Sequence, residues 1–146
     1  MNNEKRIRRY RERLELIETR LAQINEWTKN LSVDEFEKNE LVKLAAYKAF
    51  QEIIDAAMDI VAMICKDSKL TPKDDHSNIK IISKKKILDE KLAGTLADGN
   101  GLRNIIMHKY ILVDDKRAFI EITESLDDFE YFVEVVENWI ESHLKR

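Results

Sequence analysis

The chain has 146 residues, 44% apolar and 36% charged, which is the size of one ordinary domain and too apolar for a disordered chain. Three glycines and one proline supply too few turns for an all-β fold, so the composition points to long helices in a single domain over residues 1–146. A net charge of −3, from 25 basic and 28 acidic groups, gives no sign of a protein that coats nucleic acid in bulk.

Residues 3–28 read as an amphipathic helix, because Ile7, Tyr10, Leu14, Ile17, Leu21 and Ile24 recur at steps of three and four. Ser32-Val33-Asp34-Glu35 fits a capping box. The helical region it opens bends near Asn39 and runs to about Lys66. Two apolar rows share this region: Tyr47, Phe50, Ile54, Ala57, Val61 and Ile64 beside Ala46, Ala49, Ile53, Ala56, Ile60 and Met63. Only Lys48, Gln51, Glu52, Asp55 and Asp59 interrupt them, so the helix is expected to be central and to reach a subunit interface. Residues 67–81, with the lone Pro72, read as a loop. Ser83 can cap a helix from Lys84 to about Asp98, and Gly99-Asn100-Gly101 reads as the sharpest break in the chain. A new helix is expected from Leu102 to about Val113, and a last one from Lys116 to His143. The sum is an all-α, antiparallel bundle of four to five helices.

Charge is unevenly spread. Residues 1–20 carry seven basic groups against four acids, and residues 119–141 carry eight acids and no Lys or Arg. The simplest reading is two solvated helix faces. The single cysteine, Cys65, lies in an apolar run and is read as core, with no intramolecular disulfide possible. That run is far short of the roughly 20 residues that span a bilayer, and the N-terminus has no apolar signal region; the expectation is a cytoplasmic protein with no membrane partner. Asp74-Asp75-His76 hints at a metal, but no second ligand cluster accompanies it, so the expectation is no metal and no cofactor. His143 is read as a cation favoured at a helix C-terminus, and Trp27 and Trp139 as packing residues.

The informative stretch is Leu102-Arg103-Asn104-Ile105-Ile106-Met107-His108-Lys109-Tyr110. On one continuous helix, Asn104 falls about 100°, His108 about 140° and Tyr110 about −20° from Arg103. One face then offers a cation, an amide, an imidazole and a phenol. Arginine makes forked contacts with phosphate oxygens, and histidine can move a proton near neutrality. RNA carries its own nucleophile in the 2′-OH, so this pair suffices for metal-free cleavage. The blander reading is an interior histidine beside an ion-paired arginine. Asp55 or Asp59, on the polar stripe, can pair with Arg103 or orient His108; otherwise the stripe simply faces solvent.

The string Arg103-Asn104-Ile105-Ile106-Met107-His108-Lys109-Tyr110 matches the R-x-x-x-x-H-x-Y signature, and on it the chain resembles the HEPN superfamily, in particular its HepT-type toxins. The likeness extends to the charged first helix, the Ala-rich second helix and the acidic last helix. It implies a metal-independent endoribonuclease toxin acting as a homodimer, with two motif helices lining a shared cleft. The catalytic positions map to Arg103 and His108, with Asn104 and Tyr110 shaping the site. It further implies an MntA-type nucleotidyltransferase antitoxin that adds AMP to Tyr110, placing bulk and negative charge where RNA would bind. The alternative is a non-catalytic HEPN module that binds a nucleotide or the partner without breaking a bond.

Overall fold

The computed structural model describes residues 3–145. Helix α1 (Asn3–Thr28) buries Tyr10, Leu14, Ile17, Leu21 and Ile24, the row that the periodicity picked out. The capping box forms: Ser32 Oγ accepts from the Glu35 amide and Glu35 Oε1 from the Ser32 amide, both at 3.1 Å. The helix it opens, α2 (Val33–Lys38), is short. The bend at Asn39 is a full break, because Asn39 ends α2 and its side chain caps α3 (Glu40–Asp67) through the Val42 amide at 3.1 Å.

Both apolar rows of α3 are buried apart from the partly buried Met63. Their cover is the chain's own, since α3 packs against α1, α2, α4 and α5. The alanines let those neighbours approach closely, and each fully buried isoleucine contributes about 1.5–3 kcal/mol. At the start of the same helix Leu41 and Leu44 stay exposed, by 80% and 49%. Cys65 is fully buried, and burial pushes its thiol up. The basic residues of α1 face acids across the bundle: Arg13 with Asp59 at 3.1 Å, Arg20 with Glu52 at 2.8 Å and Arg11 with Glu137 at 3.3 Å. Such largely exposed pairs contribute about 0–1 kcal/mol each.

Four expected boundaries are corrected. The loop expected over 67–81 contains α4 (Asp75–Lys84), capped by Asp74 through the Ser77 amide at 2.8 Å. Ile79 and Ile82 anchor it, and buried Asn78 bonds both backbone groups of Lys73. Two apolar anchors in ten residues give too weak a period to read. Ser83 caps nothing; Asp89 caps α5 (Glu90–His108) through the Leu92 amide at 2.7 Å. The break expected at Gly99-Asn100-Gly101 does not occur, and α5 runs through it and stops at His108 rather than Val113. A 3-10 turn (Tyr110–Leu112) leads to α6 (Asp115–His143), capped by Asp114. The all-α antiparallel bundle stands, with six α-helices among the described residues. No described helix is long and apolar enough to cross a membrane.

Candidate functional site

Gly99 explains why the motif sits where it does. It is helical, with no positive φ. A Cβ there would lie 2.7 Å from Ile54 Cδ1 and 3.4 Å from the ring tips of Phe50 and Phe129. The glycine is a close-packing residue that lets α5 press against α3 and α6, and not a turn. One helical turn later that contact delivers Arg103 to the polar stripe of α3.

Arg103 is largely buried, its side chain 12% exposed. Nη1 donates to Asp55 on α3. Nη2 donates to Asp75 Oδ2 on α4 at 3.2 Å and to Asn100 Oδ1 one turn back at 2.5 Å. Nε is buried without a partner. One guanidinium thus joins three helices, while Asp55 and Asp75 remain 44% and 41% exposed. The clamp carries two carboxylates against one cation, so a phosphate reaching Arg103 meets a guanidinium already paired with Asp55 and Asp75.

Asp59, the other acid weighed for this role, pairs instead with Arg13. Asp75 and Asn100 went unrecognised in the sequence. Asp75 was read as loop, although Asp74 and Ser77 form a capping pattern just around it. Asn100 was read as turn, although on a continuous helix it stands three residues from Arg103 and must neighbour it.

Asn104 and His108 are exposed on the last turns of α5. Tyr110 does not stack in line with Arg103, because α5 has ended: Lys109 departs from helical geometry at φ −140°. Its ring packs edge-on against Tyr47, centroids 6.0 Å apart at 75°, and stays 43% exposed. Tyr47 donates its hydroxyl to Asp115 Oδ1 at 2.5 Å, and Lys43 donates to Asp115 Oδ2 at 3.0 Å. The Asp115 bond holds the Lys43 ammonium above its usual range, and burial followed by Asp115 does the same for the Tyr47 phenol. Around the motif the apolar residues Ile105, Met107, Ile111 and Leu112 are exposed, Ile111 by 92%.

Residues 17–136 match the family described as ribonuclease HepT-like. The chain belongs to the HepT-like family. Its relatives include an Archaeoglobus fulgidus protein named as a candidate RNase, 30% identical over 131 residues, covering 90% of this chain and 93% of the relative. A protein of Aphanizomenon flos-aquae named tRNA nuclease HepT is 29% identical over 134 residues, covering 86% and 90%. The HepT-like fold is also that of a solved tri-AMPylated Shewanella oneidensis HEPN toxin in complex with MNT antitoxin. That match has a TM-score of 0.82 at 19% identity, over 89% of this chain and 97% of the other.

Proposed function

We propose that the protein is a metal-independent endoribonuclease toxin working as a homodimer, with Arg103 and His108 as its catalytic pair. The observation that carries this reading is the contrast within one helix. Arg103 is fixed from three sides, whereas His108, about 7.5 Å further along the axis, is exposed and has no hydrogen-bond partner among the described residues. A fixed cation beside a free imidazole suits phosphate binding and proton transfer.

His108 takes the 2′-OH proton, the 2′-oxygen bonds to phosphorus and the bond to the 5′-oxygen breaks. That oxygen leaves with a proton from solvent or from the second imidazole of a twofold cleft. The products are a 2′,3′-cyclic phosphate and a 5′-hydroxyl. Arg103 stabilises the crowded phosphate after exchanging a carboxylate for it, and Asn104 and Tyr110 shape the site. The exposed apolar residues around the motif support burial against a second copy.

The relatives' names support RNA, with tRNA the first substrate to try, and an MntA-type nucleotidyltransferase as antitoxin. Tyr110, exposed at the edge of the motif, is the proposed acceptor of AMP. The clamp on Arg103 favours the second reading, a binding module in which the arginine is structural. Cleavage of cellular RNA in excess EDTA, with Tyr110 shown unmodified by mass spectrometry, separates the two. Cyclic-phosphate ends lost in His108→Ala support the enzyme. 3′-hydroxyl and 5′-phosphate ends refute the mechanism, and no cleavage by folded protein selects the binding module.

A further inference from the structure

A run of exposed cations that pair with no carboxylate among the described residues lies away from the motif. Residues 76–88 contain four lysines and no acid. Lys80, Lys84, Lys85 and Lys86 are all exposed, and none forms an ion pair among the described residues. Arg6, Arg11, Arg13 and Arg20 of α1, by contrast, are matched with acids across the bundle. Lys80 and Lys84 are four residues apart on the outer face of α4, whose inner face buries Asn78, Ile79 and Ile82. Asp75, which touches Arg103, starts α4 on the side of Ile79 and Ile82, across the helix from these lysines.

Lys86 adds a second observation. It has φ 59°, the left-handed residue that closes α4, where the Ile87 amide bonds the Ile82 carbonyl at 3.0 Å. Glycine is the ordinary residue at such a position, and a lysine takes it here as Lys69, at φ 61°, does after α3. A third observation is aromatic. Lys84 and Lys86 line a groove of about 570 Å³ together with Tyr131 of α6, whose side chain is 46% exposed. Asp89 and Glu90 share the groove, and Asp89 is occupied in capping α5.

We infer that this lysine stripe and Tyr131 form a docking track for single-stranded RNA, the lysines following the phosphates and Tyr131 stacking one base. The inference rests on the proposed RNA substrate and adds where its flank lies. Free cations beside an exposed ring are the combination that sequence-tolerant RNA grooves use, the charge giving affinity and the ring a platform. Glu90 at the start of α5 is 13 residues from Arg103, about 20 Å along the helix. That is about six stacked nucleotides at 3.4 Å per residue of strand, so a longer RNA can span both places and a very short one cannot.

The test uses the full-length protein with fluorescent 2′-O-methyl oligouridine of 4 and 12 nucleotides, which blocks the 2′-hydroxyl as nucleophile. Wild type should bind the 12-mer much more tightly than the 4-mer. Replacing Lys80, Lys84, Lys85 and Lys86 together by Ala should weaken 12-mer binding at least about tenfold and reduce its salt dependence by about 2 to 3 in log–log slope, at about 0.7 per lysine. The fourfold Lys→Arg variant should retain both. Tyr131→Ala should weaken 12-mer binding about tenfold with the salt slope unchanged, and Tyr131→Phe should restore it.

Equal 12-mer affinity and slope in wild type and the Ala variant overturn the proposal, as does failure of wild type to bind the 12-mer. Loss of binding to a copurified protein partner with RNA affinity intact also overturns it, in favour of an acidic protein surface. Cleavage of unmodified RNA by wild type is scored separately. A protein that cleaves RNA without needing the lysines keeps the catalytic reading and loses this one. A protein that needs the lysines to bind RNA but never cleaves it does the reverse.

Discussion

Gly99→Ala tests whether close packing, and not turn formation, is what the central glycine supplies. Alanine gains about 0.8–1.0 kcal/mol over glycine inside a helix from propensity alone. Against that, the new methyl would lie 2.7 Å from Ile54 Cδ1 and 3.4 Å from Phe50 and Phe129 Cζ. Ile54, Phe50 and Phe129 are all fully buried, so the isoleucine tip has little room to withdraw, and overpacking of this kind costs about 1–3 kcal/mol. The net expectation is a change between about zero and 2 kcal/mol of destabilisation. Gly94, on the same helix, has nothing within 4 Å of an added Cβ, so Gly94→Ala should show the propensity gain alone. Urea denaturation followed by circular dichroism, with unchanged m-values, places the two variants on opposite sides of wild type or nearly so. The separation between them, about 1–3 kcal/mol, is the cost of the contact. If Gly99→Ala stabilises as much as Gly94→Ala, α5 is not held against α3 in the way described.

Other expectations concern single side chains. His108→Ala should leave stability within about 0.5 kcal/mol of wild type in a thermal melt, because an exposed ring without a partner contributes little; a larger loss would give His108 a structural role. Tyr47→Phe removes the donor to Asp115, and hydrogen bonds to charged groups contribute about 1.5–3 kcal/mol, so a melt unchanged by that substitution would show the bond to be idle. Burial, then Asp98, raises the Glu121 carboxyl above the usual carboxylate range, with Arg117 opposing. A raised carboxyl favours the fold while protonated, and that contribution is lost as pH rises through the folded value. Glu121→Gln should therefore raise the melting temperature at neutral pH, with the gain shrinking towards about pH 4; a pH-independent difference would contradict this.

The long helices were legible because their apolar rows are long. Tyr10 to Ile24 and Tyr47 to Ile64 each repeat over several turns, and the Ser32 cap has a local signature that needs no tertiary knowledge. What failed was punctuation. Gly99 and Gly101 look like a turn to any rule based on conformational freedom, and only the ring tips and Ile54 tip facing Gly99 show otherwise. The short α4 is hard to read because only two buried isoleucines, Ile79 and Ile82, mark its inner face among polar residues. That also hid Asp75 from the site. Arg103, Asn104, His108 and Tyr110 were found through their spacing, but Tyr110 was misplaced, since a helix ending at His108 breaks the angular arithmetic one step before it.

The segment carrying Tyr110 is a strap with very little slack. It leaves α5 at Lys109, whose amide still bonds the Ile105 carbonyl at 2.8 Å. It arrives at Asp115, moored by Lys43 and Tyr47. Between those moorings the chain spends its length on a tight turn, with Leu112 bonded to Lys109 at 2.7 Å and Val113 to Tyr110 at 3.0 Å. The backbone under the ring is thus fastened at both ends, and rotamers of the phenol turn it about that fixed stretch. Anything attached to that oxygen is therefore presented between two moorings, beside the Tyr47 ring.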